Sequence, residues 1–305
     1  MEIFAYLKAE LNRRCPQLEV REQEPMSRHT SFRIGGPAAL MALPKSEEEA
    51  AEAMRTAHEA GVEPFFLGNG SNLLVSDEGV DCFVIKIGAG FDSCRVEGNT
   101  VIADCGITLA RLACFARDKG LTGLEFAHGI PGCLGGAATM NAGAYGGEMS
   151  QVIRKVICLD RQGERHEITD FDYGYRHSVF SSGDYLVTSV EMELQPGDPK
   201  EIRARMEELS AKRQEKQPLE FPSAGSVFKR PEGHFAGALV ESSGLKGLTV
   251  GGAQVSPKHA GFIVNVGGAT CADVLKLILQ IQEKVLADHG VKLEMEIKVL
   301  GAAQA

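Results

Sequence analysis

The chain has 305 residues, 44% of them hydrophobic and 24% charged, with a net charge of −9. That is enough for two or three domains with a sizeable core. The acidic balance argues against a nucleic-acid backbone as the main partner, and without a run of 18 apolar residues no membrane insertion is expected. The opening "MEIFAYLKAELNRR" reads as an amphipathic helix. It lacks the charged start, apolar middle and small-residue cleavage site of a signal peptide, so a cytoplasmic protein is expected.

Residues 39–87 read as a small α/β unit. "ALMALP" is a short apolar strand, and Ser46 caps a helix with Glu49 three residues on and Gly61 past its end. "PFFLG" is a buried strand, "GNGSN" a loop and "CFVIKI" another strand. Residues 92–105 suggest a hairpin turning near Gly98-Asn99, followed by a helix that ends at Gly120. The segment 128–148, "HGIPGCLGGAATMNAGAYGGE", is expected to follow an irregular path fixed by Pro131 and its glycines. Strands "QVIRKVICLD" and "YLVTSVEMEL" come next, then a Pro, Gly and Asp cluster that suggests a boundary near residue 196. Beyond it lie a charged helix over 199–216, a loop over 217–234, a short helix "FAGALVESSG" and a strand "AGFIVNV". A long helix capped by Thr270 with Asp273 follows. "VKLEMEIKVLG" closes as an alternating strand, with Leu293, Met295, Ile297 and Val299 on one face and Glu294, Glu296 and Lys298 on the other.

Four stretches bear on chemistry. "LGNGSNLLV" puts Gly68 and Gly70 after a strand, but the third glycine and the helix of a dinucleotide fingerprint are missing. No G-x-x-x-x-G-K-[ST] occurs either. What remains is a turn whose amides, with Ser71 and Asn72, either nest phosphate oxygens or bond only locally. The glycine-rich segment is apolar where surface loops are usually polar, which suits a flat ligand meeting bare peptide groups. "YGYRHSVF" holds Arg176, able to fork onto a carboxylate or phosphate. "PSAGSVFKRP" presents Ser226 without the second glycine of a nucleophile elbow, so a hydrolase is unsupported. No histidine spacing matches a metal site. The eight cysteines include no C-x-x-C and read as small buried hydrophobes.

Taken in order, "TSFRIGG", "LGNGSNLLV", "GIPGCLGGAATMNAGAYGGE", "YRHSVF", "AGSVFKRP" and "LEMEIKVLG" closely resemble the UDP-N-acetylenolpyruvoylglucosamine reductase family, FAD enzymes of bacterial peptidoglycan precursor synthesis. The resemblance runs over residues 25–301. It implies an α+β fold: a two-lobed vanillyl-alcohol-oxidase/PCMH-type FAD-binding domain, then a C-terminal α+β substrate-binding domain. The N-terminal helix and first lobe would fill 1–90, the second lobe 91–196 and the substrate domain 197–305. Only "SSGDYLVTSVEMEL" separates the Arg motif from the linker, so the chain resembles the shorter class, without an inserted tyrosine loop.

The resemblance also implies noncovalent FAD, reduced by NADPH, with hydride passing from flavin N5 to the enol carbon of UDP-N-acetylglucosamine enolpyruvate. By motif, Arg176 polarises the substrate carboxylate together with Glu296, and Ser226 donates the proton. Glu294 shares the face of Glu296, and spacing alone does not separate them. The motif "EIK" selects Glu296. FAD would lie on Gly68, Asn69, Gly70, Ser71 and Asn72, and on Gly129, Ile130, Pro131, Gly132, Gly135, Gly136, Ala137, Asn141, Gly143 and Ala144. The uridine diphosphate would meet Lys229, Arg230, Lys258 and His259, with Tyr175 near substrate. Two residues depart from the family pattern: Arg230 stands where Asn is common, and His128 where small residues are common. The rival expectations are another FAD oxidoreductase of the same fold, or a nucleotide-sugar-binding regulator without catalysis.

Overall fold

In the computed structural model, which describes residues 2–301, the chain forms two units. The first comprises residues up to Gln23, Ala39–Asn69 and Cys82–Arg213. The second comprises Glu24–Ala38, Gly70–Asp81 and the chain from Gln214. Two early segments join the second unit because Phe32, Ile34 and Leu74 belong to its hydrophobic core. Met1 and residues 302–305, the extremes of the expected first and last domains, lie outside the described residues.

The first unit contains two larger sheets. One has the strand order Glu19–Pro25, Pro37–Leu43, Val80–Lys86, Pro64–Leu67. The last two strands are parallel, with Leu67 opposite Lys86. The helix Glu47–Glu59 buries Ala50, Ala53, Met54 and Ala57, a stripe at helical spacing. Its Ser46 hydroxyl accepts from the Glu49 amide at 3.2 Å. The Glu49 carboxylate accepts instead from the Lys45 amide at 2.8 Å, so the return arm of the expected capping box is shifted by one residue.

The other larger sheet of the first unit has the order Arg165–Ile168, Ile153–Leu159, Leu186–Glu193, Thr100–Asp104, Cys94–Glu97. All its neighbours are antiparallel. Val190 and Met192 are fully buried and alternate with Glu191 and Glu193, as one buried face requires. The expected hairpin forms, with Glu97 opposite Thr100 and Gly98 at a φ of 62°. The helix Leu109–Asp118 starts on the Thr108 hydroxyl, which accepts from Arg111 N. Several elements escaped the sequence reading, the edge strand Glu19–Pro25 among them. The strand Arg165–Ile168 is another. A third is a helix, Leu134–Thr139, inside the segment expected to be irregular. Its Gly135 and Gly136 are poor helix formers, and tertiary packing overrides that preference. Leu134 and Ala138 are fully buried.

In the second unit, the antiparallel sheet has the order Ser223–Ser226, Phe262–Asn265, Ala253–Val255, Thr249–Val250. Its first strand lies inside what reads as a loop. The helix Cys271–His289 covers the core with Val274, Leu277, Ile278, Ile281 and Val285. Here the expected box closes fully: Thr270 accepts from Asp273 N, the Asp273 side chain accepts from Thr270 N, and Gly290 ends the helix at a φ of 69°. The final segment is not one continuous strand. Only Lys298–Leu300 forms a strand, parallel to Leu73–Val75, while Met295 makes a single antiparallel bridge with Phe228. Before it, the backbone bonds the irregular stretch 227–229: Lys229 N donates to Glu294 O, and Glu296 N to Val227 O. The alternation still holds, since Leu293 and Ile297 are buried and Met295 and Val299 pack against the same core.

No helix of the described residues is long and apolar enough to cross a membrane. Nor do they contain a cluster of three or more metal-ligating side chains. Among the described residues no two cysteines are joined by a disulfide, and five of the eight are buried.

Candidate active site

In the first unit the two small-residue segments meet. A Cβ on Gly68 would collide with the sulfur of Cys133, so only glycine allows the contact. The carbonyl of Gly68 accepts from Lys86 Nζ at 2.8 Å. The glycine-rich segment is laid along residues 105–109: Leu109 N donates to Gly132 O, Leu134 N to Ile107 O and Gly135 N to Cys105 O. Pro131 and Gly136 are exposed, whereas Ala137 is buried in the core. Gly143-Ala144 and Gly147-Glu148 pair as a two-stranded ribbon. A Cβ on Gly147 would strike the Phe126 ring, so this glycine serves the protein's own packing.

Two cations flank the segment. Lys86 is partly buried. Burial pulls its ammonium below the ordinary lysine range, and only the nearby Cys133 thiol opposes this. Arg213 packs its Cδ over Gly129. Its Nε is buried with no hydrogen-bond partner among the described residues, and burial lowers its pKa as well. Sequence reading missed both residues. Lys86 was legible, because it shares the strand face of the fully buried Val84, where a lysine is out of place. Arg213 sits in a charged helix and carries no such signal. His128 is partly buried, its Nδ1 is unpartnered among the described residues, and burial followed by the charge of Arg117 lowers its pKa.

Arg176 lies at the tip of a tight turn closed by reciprocal bonds between Gly174 and His177. Its φ is 56°, a left-handed conformation that a non-glycine residue adopts only when its surroundings enforce it. Its guanidinium lies 5.1 Å from the centre of the exposed Tyr175 ring. The glycine-rich segment anchors this turn. Asn141 Nδ2 donates to Gly174 O at 3.2 Å, and Asn141 Oδ1 accepts from Ser150 N at 2.9 Å. The Ser178 and Ser181 hydroxyls both donate to Thr139 O, closing the end of the helix Leu134–Thr139. Asn141 is 3% exposed, and these bonds make it a support for the turn.

In the second unit Ser226 ends its strand after a register shift, with Gly225 at a φ of 77°. Its Oγ is 3.5 Å from Phe228 O, too long to lock the hydroxyl. The next residue, Val227, accepts from Glu296 N at 2.8 Å, so Ser226 and Glu296 sit on adjoining backbone. Asn72 supports the same place: its Nδ2 donates to Glu296 O, and its carbonyl accepts from Lys298 N. Gly70 has a φ of 57°, and its carbonyl accepts from Ser31 N.

The expected diphosphate contacts are dispersed over protein partners. Lys229 Nζ meets Glu294 at 3.3 Å, Lys258 Nζ donates to Gln214 O at 2.7 Å, and Arg230 stacks on the exposed Phe235. Exposed pairs of this kind are worth little and yield easily to a ligand. His259 differs from the other three in carrying no charge. Its Nδ1 accepts from Gly261 N at 3.0 Å, and burial lowers its pKa, so the ring is a neutral Nε2–H donor.

Bare peptide groups beside two cations without carboxylate partners among the described residues form a donor set that fits an anionic dinucleotide such as FAD. Comparison with known proteins agrees. Residues 38–169 match the model of a FAD binding domain. Residues 217–300 match that of the UDP-N-acetylenolpyruvoylglucosamine reductase C-terminal domain. The fold is therefore α+β, a FAD-binding domain followed by that C-terminal domain. The chain is 49% identical over 293 residues to UDP-N-acetylenolpyruvoylglucosamine reductase of Alkaliphilus oremlandii, covering 95% of this chain and 96% of the relative. It is 45% identical to that of Clostridioides difficile, covering 93% and 94%. The crystal structure of the Thermus caldophilus enzyme superposes with a TM-score of 0.80 at 36% identity, over 93% of this chain and 99% of that one. Identity at this level, over nearly the full length of both chains, means that the chain belongs to the UDP-N-acetylenolpyruvoylglucosamine reductase family.

Proposed function

We propose that the protein reduces UDP-N-acetylglucosamine enolpyruvate to UDP-N-acetylmuramate with NADPH, through noncovalently bound FAD. FAD, when bound, would supply the hydride chemistry between NADPH and the substrate. The glycine-rich segment and residues 68–72 hold it. The protein's own task is to manage charge and proton at the substrate. Hydride addition to the terminal enol carbon drives negative charge onto the substrate carboxylate. Arg176 pairs with that carboxylate, and one preorganised donor of this kind is worth about 3–4 kcal/mol. Glu296 acts with Arg176 there. Ser226 gives a proton to the neighbouring carbon. Serine is a poor acid, so its proton is replaced through water or through Lys229. Lys229, Arg230, Lys258 and Tyr175 meet the nucleotide, with His259 as a neutral donor.

One observation carries the reading: Glu296 N is bonded to Val227, the residue after Ser226. A proton donor and a carboxylate-handling acid on adjoining backbone suit a reaction that needs both at neighbouring substrate atoms. The test is NADPH oxidation by the purified yellow protein. Oxidation should depend on the enolpyruvyl nucleotide and yield a product heavier by two hydrogens. Rapid O2 consumption without that substrate, and no such product, would instead mark an oxidase.

A further inference from the structure

Lys86 has no place in the mechanism above, yet its setting is unusual. Its strand neighbours Phe83, Val84 and Ile85 are fully buried. Its Nζ donates to the carbonyl of Gly68, the first residue of the Gly-Asn-Gly-Ser-Asn turn, at 2.8 Å. Gly68 in turn is pressed against Cys133, so Lys86 stands where the two glycine-rich segments meet. An ammonium carries three donors. Among the described residues, this one has the Gly68 carbonyl and no carboxylate. A partly buried cation without a counter-ion costs stability unless something offsets it. A structural tie to a single carbonyl needs no charge at all. The turn that Lys86 holds offers backbone amides, and amides beside a fixed ammonium suit a doubly charged diphosphate.

We propose that Lys86 is a further cofactor-binding residue, the counter-charge for the FAD diphosphate at the root of the 68–72 turn. This rests on the reading that FAD lies along that turn. The test compares wild type, Lys86→Met and Lys86→Arg as full-length chains stripped of flavin. FAD affinity is read by fluorescence quenching at several salt concentrations, and melting is followed without flavin. Lys86→Met should weaken FAD binding by about tenfold or more, since a charge-assisted hydrogen bond is lost. It should also flatten the salt dependence and leave the flavin-free melting temperature unchanged or higher. Lys86→Arg should keep most of the affinity. FAD affinity in Lys86→Met within about twofold of wild type would overturn the assignment. So would a lower flavin-free melting temperature with an unchanged salt dependence, which would mark a structural tie only. A wild-type chain that takes up no FAD would instead refute the underlying FAD reading.

Discussion

The side-chain amide of Asn141 donates to the carbonyl of Gly174 and ties the glycine-rich segment to the turn that carries Arg176. The same side chain accepts from Ser150 N, so one buried residue fixes three pieces of backbone. Asn141→Ala leaves Ser150 N without its acceptor and Gly174 O with His177 N alone, and should cost about 1–3 kcal/mol of stability. FAD content should survive, while reaction with the enolpyruvyl substrate slows. Urea unfolding with flavin absorbance of the purified variant checks this. A variant that loses FAD while its substrate step stays normal would make Asn141 a cofactor contact after all.

Arg176 occupies a left-handed conformation that glycine adopts without strain. Arg176→Gly removes a backbone cost of roughly 1–2 kcal/mol and adds unfolded-chain entropy worth about 0.4–1 kcal/mol. Stability should therefore change by no more than about 1 kcal/mol. The substrate-dependent step should fall by about 100-fold or more, the usual effect of losing a donor aimed at developing charge. A thermal melt paired with single-turnover kinetics separates the two effects. A large loss of stability would make Arg176 a structural residue.

His128 and His259 both have lowered pKa values, chiefly through burial. Each is held neutral in the folded chain, whereas the unfolded chain protonates near 6.5. The stability they contribute is fully present above that value and is lost as pH falls below it toward the lower folded values. Stability should thus decline as pH falls below about 6.5. His259→Asn keeps an acceptor for Gly261 N and removes one titration, so its decline should be shallower. Denaturant midpoints across that range give the comparison, and parallel curves would count against a neutral His259.

Much of the fold could be read from periodicity and caps. Thr270 with Asp273 announced the long C-terminal helix, and Ala50, Ala53, Met54 and Ala57 repeat at helical spacing. The helix Leu134–Thr139 was hidden because Gly135 and Gly136 oppose it locally and only burial of Leu134 and Ala138 recovers it. "VKLEMEIKVLG" alternates as a strand would, but its first half pairs with the irregular backbone at 227–229, which no local pattern encodes. The catalytic assignments came from motif resemblance, and spacing left Glu294 and Glu296 equivalent. The supports were invisible, because Asn141 and Gly174 lie far apart in sequence and meet only in the fold. The glycines of 128–148 divide their tasks. Gly147 clears the Phe126 ring, and Gly129 lies under Arg213.

The central claim is that Ser226 protonates the substrate and takes no part in the reaction with NADPH. Stopped-flow absorbance of Ser226→Ala separates the two half-reactions directly. Bleaching of the flavin by NADPH should stay within about threefold of wild type, while recovery with UDP-N-acetylglucosamine enolpyruvate slows by about 100-fold or more, the contribution of a positioned proton donor. Equal slowing of both phases, or normal recovery, would contradict the account.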